Sequence, residues 1–260
     1  MIHRDLCYLL AKQEGFDYDR VMQASVQETM FAMKSPELFV TCFEQQYPAS
    51  LKELRKPPVL LCFKGDIKLL DRPMVAIIGA RKCSSYGLWA TQQIVAQLPS
   101  DIVIVSGMAK GIDGAAHMAA IQSGKKTIAV LGSGLDYCYP EEHRTLFQEL
   151  GTSHLLLSEY THDIPVRKHH FPARNRLIAA LADVVVVVES RICSGTATTV
   201  KEALDLGREI YCIPHRLCDE LGAGNHLLIQ EGANIIYDIG EFCDEISSRN
   251  NLTNKKIPLR

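Results

Sequence analysis

Ala182-Asp183-Val184-Val185-Val186-Val187-Val188-Glu189 is the stretch that decides the fold. Five consecutive valines give no alternation of polar and apolar, the pattern of a strand covered by helices on both faces of a parallel sheet. Just before it runs Arg167-Lys168-His169-His170-Phe171-Pro172-Ala173-Arg174-Asn175-Arg176-Leu177-Ile178, with four formal positive charges beside an aromatic. Just after it come Ser194-Gly195-Thr196 and a helical pattern over 197–206. In open parallel sheets ligands bind beyond the carboxyl ends of the strands, so the basic segment and this tip predict one half of an anion-binding edge.

Outward from that centre, apolar runs at 75–78, 102–105, 127–131, 155–157 and 210–213 alternate with amphipathic stretches. This rhythm predicts an α/β protein with a doubly wound, mostly parallel sheet. Small or polar residues follow each run: Gly79-Ala80-Arg81, then Ser106-Gly107-Met108-Ala109-Lys110-Gly111, Gly132-Ser133-Gly134 and Ser158-Glu159. Parallel strands bring these tips to one edge, where glycines admit close approach and helix amino termini offer unpaired N–H groups, as a phosphate requires.

Ahead of the sheet, residues 1–48 carry apolar positions at helical spacing (Leu6, Leu9, Leu10; Val21, Met22; Met30, Phe31, Met33; Leu38, Phe39, Phe43), broken at Gly15 and Ser35-Pro36. They predict a small helical module. A strand at 59–63 follows Pro57-Pro58, the main domain spans 49–242, and 243–260 reads as a polar tail.

The chain has 260 residues, 47% hydrophobic and 22% charged, enough for a full core. A net charge of −2 means that a polyanion would have to be held by a local patch. Nine scattered cysteines without a Cys-x-x-Cys suggest neither a metal site nor a disulfide framework. The amino terminus lacks an apolar signal core and no segment approaches the roughly 20 apolar residues of a membrane span, so a cytoplasmic location is expected.

Two phosphate motifs fail. The dinucleotide fingerprint is broken by Arg81 after Gly79 and by Tyr137 after Gly132-Ser133-Gly134. Gly124-Lys125-Lys126-Thr127 lacks the Walker spacing and leads into a strand. No cofactor is expected.

Val75-Ala76-Ile77-Ile78-Gly79-Ala80-Arg81, the run from Ser106 to His117, Gly134-Leu135-Asp136-Tyr137-Cys138-Tyr139-Pro140, Ser158-Glu159-Tyr160, Phe171-Pro172-Ala173-Arg174-Asn175-Arg176 and Ser194-Gly195-Thr196 occur in that order. Together, over about residues 50–240, they resemble the DNA-processing protein A (DprA/Smf) family. The resemblance implies an extended Rossmann-like fold that binds single-stranded DNA without sequence preference, forms a homodimer, loads the RecA recombinase in natural transformation and catalyses nothing. Gly79-Ala80-Arg81 stands for the family's Gly-Ser-Arg, Pro214-His215 for its usual Pro-Gly, and the winged-helix domain that many members carry is not expected after Gly240.

The candidate DNA-binding residues are Gly79, Arg81, Ser106, Gly107, Lys110, Lys168, Phe171, Arg174, Asn175, Arg176, Ser194, Gly195 and Thr196. Arg81 and Lys110 suit phosphate contacts. An aromatic among cations, as at Lys168, Phe171, Arg174 and Arg176, is what base stacking with backbone neutralisation requires. The bland alternatives are packing for Phe171, an ion pair with Glu189 or Asp183 for Arg176, a loop tie for Asn175 and turn structure for Tyr139-Pro140. Asp113 and His117, four apart on a helix, with Ser106 or Ser194, form the best hydrolase-like set, a weak one without a nucleophile elbow. The competing function is a nucleotide-processing enzyme of the phosphoribohydrolase-like group, against which Thr199 stands where that group carries its catalytic Glu. For the dimer, Ile210, Ile213, Leu217, Leu221, Leu227, Leu228 and Ile229 are the candidate surface.

Overall fold

The computed structural model describes residues 4–23 and 38–253. Met30, Phe31 and Met33 of the expected helical module, and residues 254–260 of the expected tail, lie outside them. One nine-stranded sheet forms the centre, built from β1 (Phe39–Thr41), β2 (Leu60–Gly65), β3 (Met74–Ile78), β4 (Val103–Gly107), β5 (Thr127–Val130), β6 (Leu155–Ser158), β7 (Val184–Val187), β8 (Glu209–Cys212) and β9 (Asn234–Ile235). Their order is β1-β2-β6-β5-β4-β3-β7-β8-β9. All pairs are parallel except β1 with β2 and β2 with β6.

The valine run of β7 lies between β3 and β8, with Ala76 opposite Val185 and Val186 opposite Tyr211. Val184 to Val188 are all buried, each worth about 1.5–3 kcal/mol relative to exposure. On one face pack α3 (Ser85–Gln97), α4 (Ile112–Gln122), α5 (Arg144–Ser153) and α9 (Ile239–Thr253); on the other pack α6 (His170–Leu181), α7 (Thr196–Asp205) and part of α8 (Ala223–Gln230). The basic segment is therefore a helix from His170 onward. Pro172 falls in its first turn, where no intrahelical N–H is needed.

Two features depart from the sequence expectations, at Phe39–Thr41 and from residue 243 on. α1 (Arg4–Gln13) and α2 (Tyr18–Gln23) share a hydrophobic cluster with β2, β5 and β6 through Cys7, Ala11 and Val21. Within residues 1–48, Phe39–Thr41 forms a strand of the main sheet. Where a polar tail is expected from 243, α9 runs to Thr253, because Phe242, Cys243 and Ile246 form one apolar face buried with the α3–α4 layer.

After β3 the chain turns to the α3 face, and after β7 to the opposite one. The tips of these neighbouring strands diverge, which opens a crevice at the switch point.

Candidate nucleic-acid interface

A cavity of about 390 Å³ fills that crevice, lined by the β3 tip (Ile78 to Arg81), by Ala109 and Asp113, by Phe171, Arg174, Asn175 and Ile178 of α6, and by Ser194 to Thr196 and Thr199. A second cavity of about 340 Å³ adjoins it, lined among others by Lys82, Lys110, Gly132, Ser133 and Tyr139. The two share Arg81, Ala109, Phe171 and Arg174. These volumes suit one nucleotide-sized group each.

The dividing wall is a stack. The Arg81 guanidinium lies 5.4 Å from the centroid of the Phe171 ring, and the Tyr139 ring approaches Phe171 from the second cavity at 5.6 Å. Arg81 is exposed, so this cation–π contact leaves its donors facing solvent. Beneath, Arg174 is only 4% exposed; its Nη1 donates to the Val130 carbonyl and its Nε to Asn175 Oδ1 at 3.1 Å. Burial lowers the Arg174 pKa, and burial raises that of Asp113, against the pull of Arg174 and Arg81.

Backbone groups complete the edge. α4, α6 and α7 begin at Gly111, His169 and Gly195 without a side-chain cap; backbone carbonyls instead take first-turn amides of α4 (Ile112 to Ala80 at 3.2 Å, Gly114 to Ala109 at 3.1 Å), of α6 (His170 to Arg167 at 3.1 Å) and of α7 (Ala197 to Ser194 at 3.1 Å). Gly111 holds φ +77, and a Cβ there would meet the Ala80 carbonyl oxygen at 2.3 Å, so only glycine lets α4 start this close to the β3 tip. Beyond Gly195 a Cβ would find open space, which leaves the α7 terminus accessible.

The fold separates the predicted residues into groups. Gly79, Arg81, Phe171, Arg174, Asn175, Ser194, Gly195 and Thr196 meet at the first cavity, and Lys110 lines the second, paired there with Glu142. Asn175 also donates to the Gly195 carbonyl at 3.4 Å, tying α6 to the β7–α7 loop. Lys168 is exposed two residues before α6. Gly107 sits under Arg174, where a Cβ would come 2.3 Å from Nη1. Ser106 is buried in the sheet, donates to the Ile77 carbonyl at 2.6 Å, has the Asp113 carboxylate against its hydroxyl, and lines neither cavity. Arg176 points to the other side of α6 and pairs with buried Glu159, not with Glu189 or Asp183. Glu189 instead accepts from the Ser84 amide at 2.9 Å and from its hydroxyl, and Asp183 accepts from the Met74 amide at 2.8 Å.

Tyr139, read from sequence as turn structure, is 47% exposed and forms part of the aromatic wall. Its position after the Gly132-Ser133-Gly134 tip is the signal that marks it. His215 brings no surface cation: its ring is buried, with Nε2 2.9 Å from the Val188 carbonyl oxygen. The hydrolase-like set does not assemble. His117 is fully buried with Nε2 against the Gly107 carbonyl and Nδ1 against Thr127 Oγ1, both at 2.7 Å.

A doubly wound sheet with joined cavities at its switch point and a guanidinium laid on an aromatic between them defines a Rossmann-like protein. The model of the family described as DNA recombination-mediator protein A matches residues 38–247, and the chain belongs to that family. It is 47% identical over 190 residues to the DNA processing protein DprA of Streptococcus pneumoniae, covering 73% of this chain and 67% of that one. The solved structure of the Streptococcus pneumoniae protein superposes with a TM-score of 0.77 at 37% identity, over 99% of this chain and 84% of the other. DNA processing protein A of Helicobacter pylori, whose structure was described for its unique single-stranded DNA binding mode, matches with a TM-score of 0.75 at 34% identity, over 84% of this chain and 99% of the other. Among the described residues, no helix is long and apolar enough to cross a membrane.

Proposed function

We propose that this protein binds single-stranded DNA without sequence preference at the two joined cavities, protects the strand in the cytoplasm, and hands it to a RecA-type recombinase in natural transformation. The observation that carries the reading is the Arg81–Phe171 wall between two nucleotide-sized cavities. An aromatic face takes any base, and a guanidinium beside it takes the adjoining phosphate, so affinity follows strand flexibility rather than sequence. The start of α7, which lines the first cavity at Gly195 and Thr196, supplies a further phosphate donor. Likeness to the Helicobacter pylori protein supports the same ligand.

Binding rather than catalysis is the function of the site. Thr199, in the place of the catalytic Glu of phosphoribohydrolase-like enzymes, lines the first cavity and offers no carboxylate for an oxocarbenium-like step. A homodimer is proposed through the surface around Leu217 and Leu227, which are exposed, whereas Ile210 and Ile213 belong to the core.

The test is direct competition between oligo-dT and duplex of equal length, beside an assay for base release from nucleoside monophosphates. Preference for oligo-dT without base release is expected. Equal affinity for duplex, or base release above the uncatalysed rate, overturns the reading.

A further inference from the structure

A second aromatic surface lies outside both cavities. Tyr86 and Trp89, one turn apart at the start of α3, are 42% and 52% exposed, with ring centroids 5.9 Å apart and planes inclined by 26°. Stacked rings of this size left to solvent are unusual on a folded surface. They are also held in place. His215 packs edge-on against Tyr86 at 5.3 Å, the Tyr86 hydroxyl donates to the Pro214 carbonyl, and Glu189 fixes the Ser84 cap from the β7 tip.

We propose that this platform is an extension of the single-strand track, on which bases stack after the strand has left the Arg81 site; the inference rests on the single-stranded DNA reading above. Continuity supports it. Arg81 and Tyr86 are five residues apart in one loop and helix start, a reach of at most about 17 Å, or about five nucleotides of strand at the stacked spacing. Charge supports it too: Lys82 and Arg216 are exposed beside the platform's two supporting segments. Of the two acids of that second loop, Asp219 accepts from the Leu221 amide at 2.9 Å and faces His215, and Glu220 is exposed and one charge against the two cations. Base–aromatic stacking asks for a rigid, exposed π-face next to cations, and these rings supply one.

Trp89 is the single tryptophan of the chain, so its emission reports on this surface alone. Labelled oligo-dT of about 4 and about 20 nucleotides, spanning the site sizes of single-strand binders, would be titrated by anisotropy while Trp89 emission is recorded on unlabelled copies. The longer strand is expected to quench Trp89 and the shorter to leave it unchanged. Trp89→Ala should weaken the longer strand roughly 5- to 10-fold and the shorter less than about 2-fold, with Trp89→Phe recovering most of the loss. Circular dichroism checks that each variant is folded. Anisotropy that saturates on the longer strand with unchanged emission, or with equal affinity in Trp89→Ala, overturns the platform and leaves the cavity reading standing. Absence of any anisotropy change removes both. An emission shift that follows protein concentration without DNA assigns the surface to a second copy of the chain and overturns the proposal.

Discussion

The Arg81 guanidinium rests 5.4 Å from the centre of the Phe171 ring, and so joins the β3 tip to the first turn of α6 across the switch point. This contact divides one crevice into two cavities, and its two members carry different parts of the binding energy. Arg81→Ala should remove one phosphate contact and reduce the slope of log K against log salt by about 0.7 for a single strand. Phe171→Ala should leave the slope unchanged and cost about 1–3 kcal/mol of stacking. Arg81→Lys should recover only part of the loss, because the bidentate fork is gone. Titrations across a salt series decide it; identical slopes for wild type and Arg81→Ala would remove Arg81 from the phosphate path.

Lys110 is already engaged by a neighbouring carboxylate. Its ammonium pairs with Glu142 at the rim of the second cavity, and each side chain is half exposed. An arriving phosphate has to displace that carboxylate. Glu142→Gln should therefore tighten binding by an amount in the range of an exposed ion pair, about 0.2–1 kcal/mol, while Lys110→Ala weakens it. In the double variant the gain should vanish. If Glu142→Gln tightens binding equally with and without Lys110, the carboxylate acts on the strand by general repulsion and not through this lysine.

Much of the fold was legible because one physical pattern dominates it. A valine run with no polar face has only one home, and the tips of 75–78, 127–131 and 184–188 follow from it. β1 and β9, of three and two residues at the sheet edges, leave no such pattern. The α9 helix was hidden by the polar residues between Phe242 and Ile246. In the site, residue type alone does not separate Arg174 from Arg176. Two positions along a helix send one guanidinium into the wall under Phe171 and the other to Glu159, a distinction of helical phase that depends on where α6 begins. Tyr86 and Trp89 were likewise unreadable, since helical spacing of aromatics usually means a buried face.

Arg176 consequently acts on stability. Removing it strands Glu159, which is almost fully buried and whose pKa burial already raises against the pull of this guanidinium. Arg176→Ala should cost about 3–5 kcal/mol in denaturant unfolding, with the affinity of the folded fraction for oligo-dT preserved. Without its cation Glu159 is easier to keep protonated, so the variant should lose further stability as pH rises above the ordinary carboxylate range. Glu159→Gln in the same background should restore part of the loss. A variant of wild-type stability with weakened DNA binding would return Arg176 to the interface.

His117 gives the fold an acid limit beneath the site. Its ring is enclosed between the Gly107 carbonyl and Thr127, and burial lowers its pKa from 6.5 to about 4. A group whose folded pKa is depressed stabilises the native state above its unfolded value and loses that contribution as pH falls toward the folded one. The window is therefore between about pH 6.5 and 4, and the full contribution is about 3 kcal/mol at 1.36 kcal/mol per unit. Urea midpoints at pH 7 and pH 5 for wild type and His117→Gln provide the test. The variant should be less stable at pH 7 but should lose about 2 kcal/mol less than wild type between the two pH values. Parallel losses in both proteins would mean that His117 does not set the acid limit, and that other buried groups do.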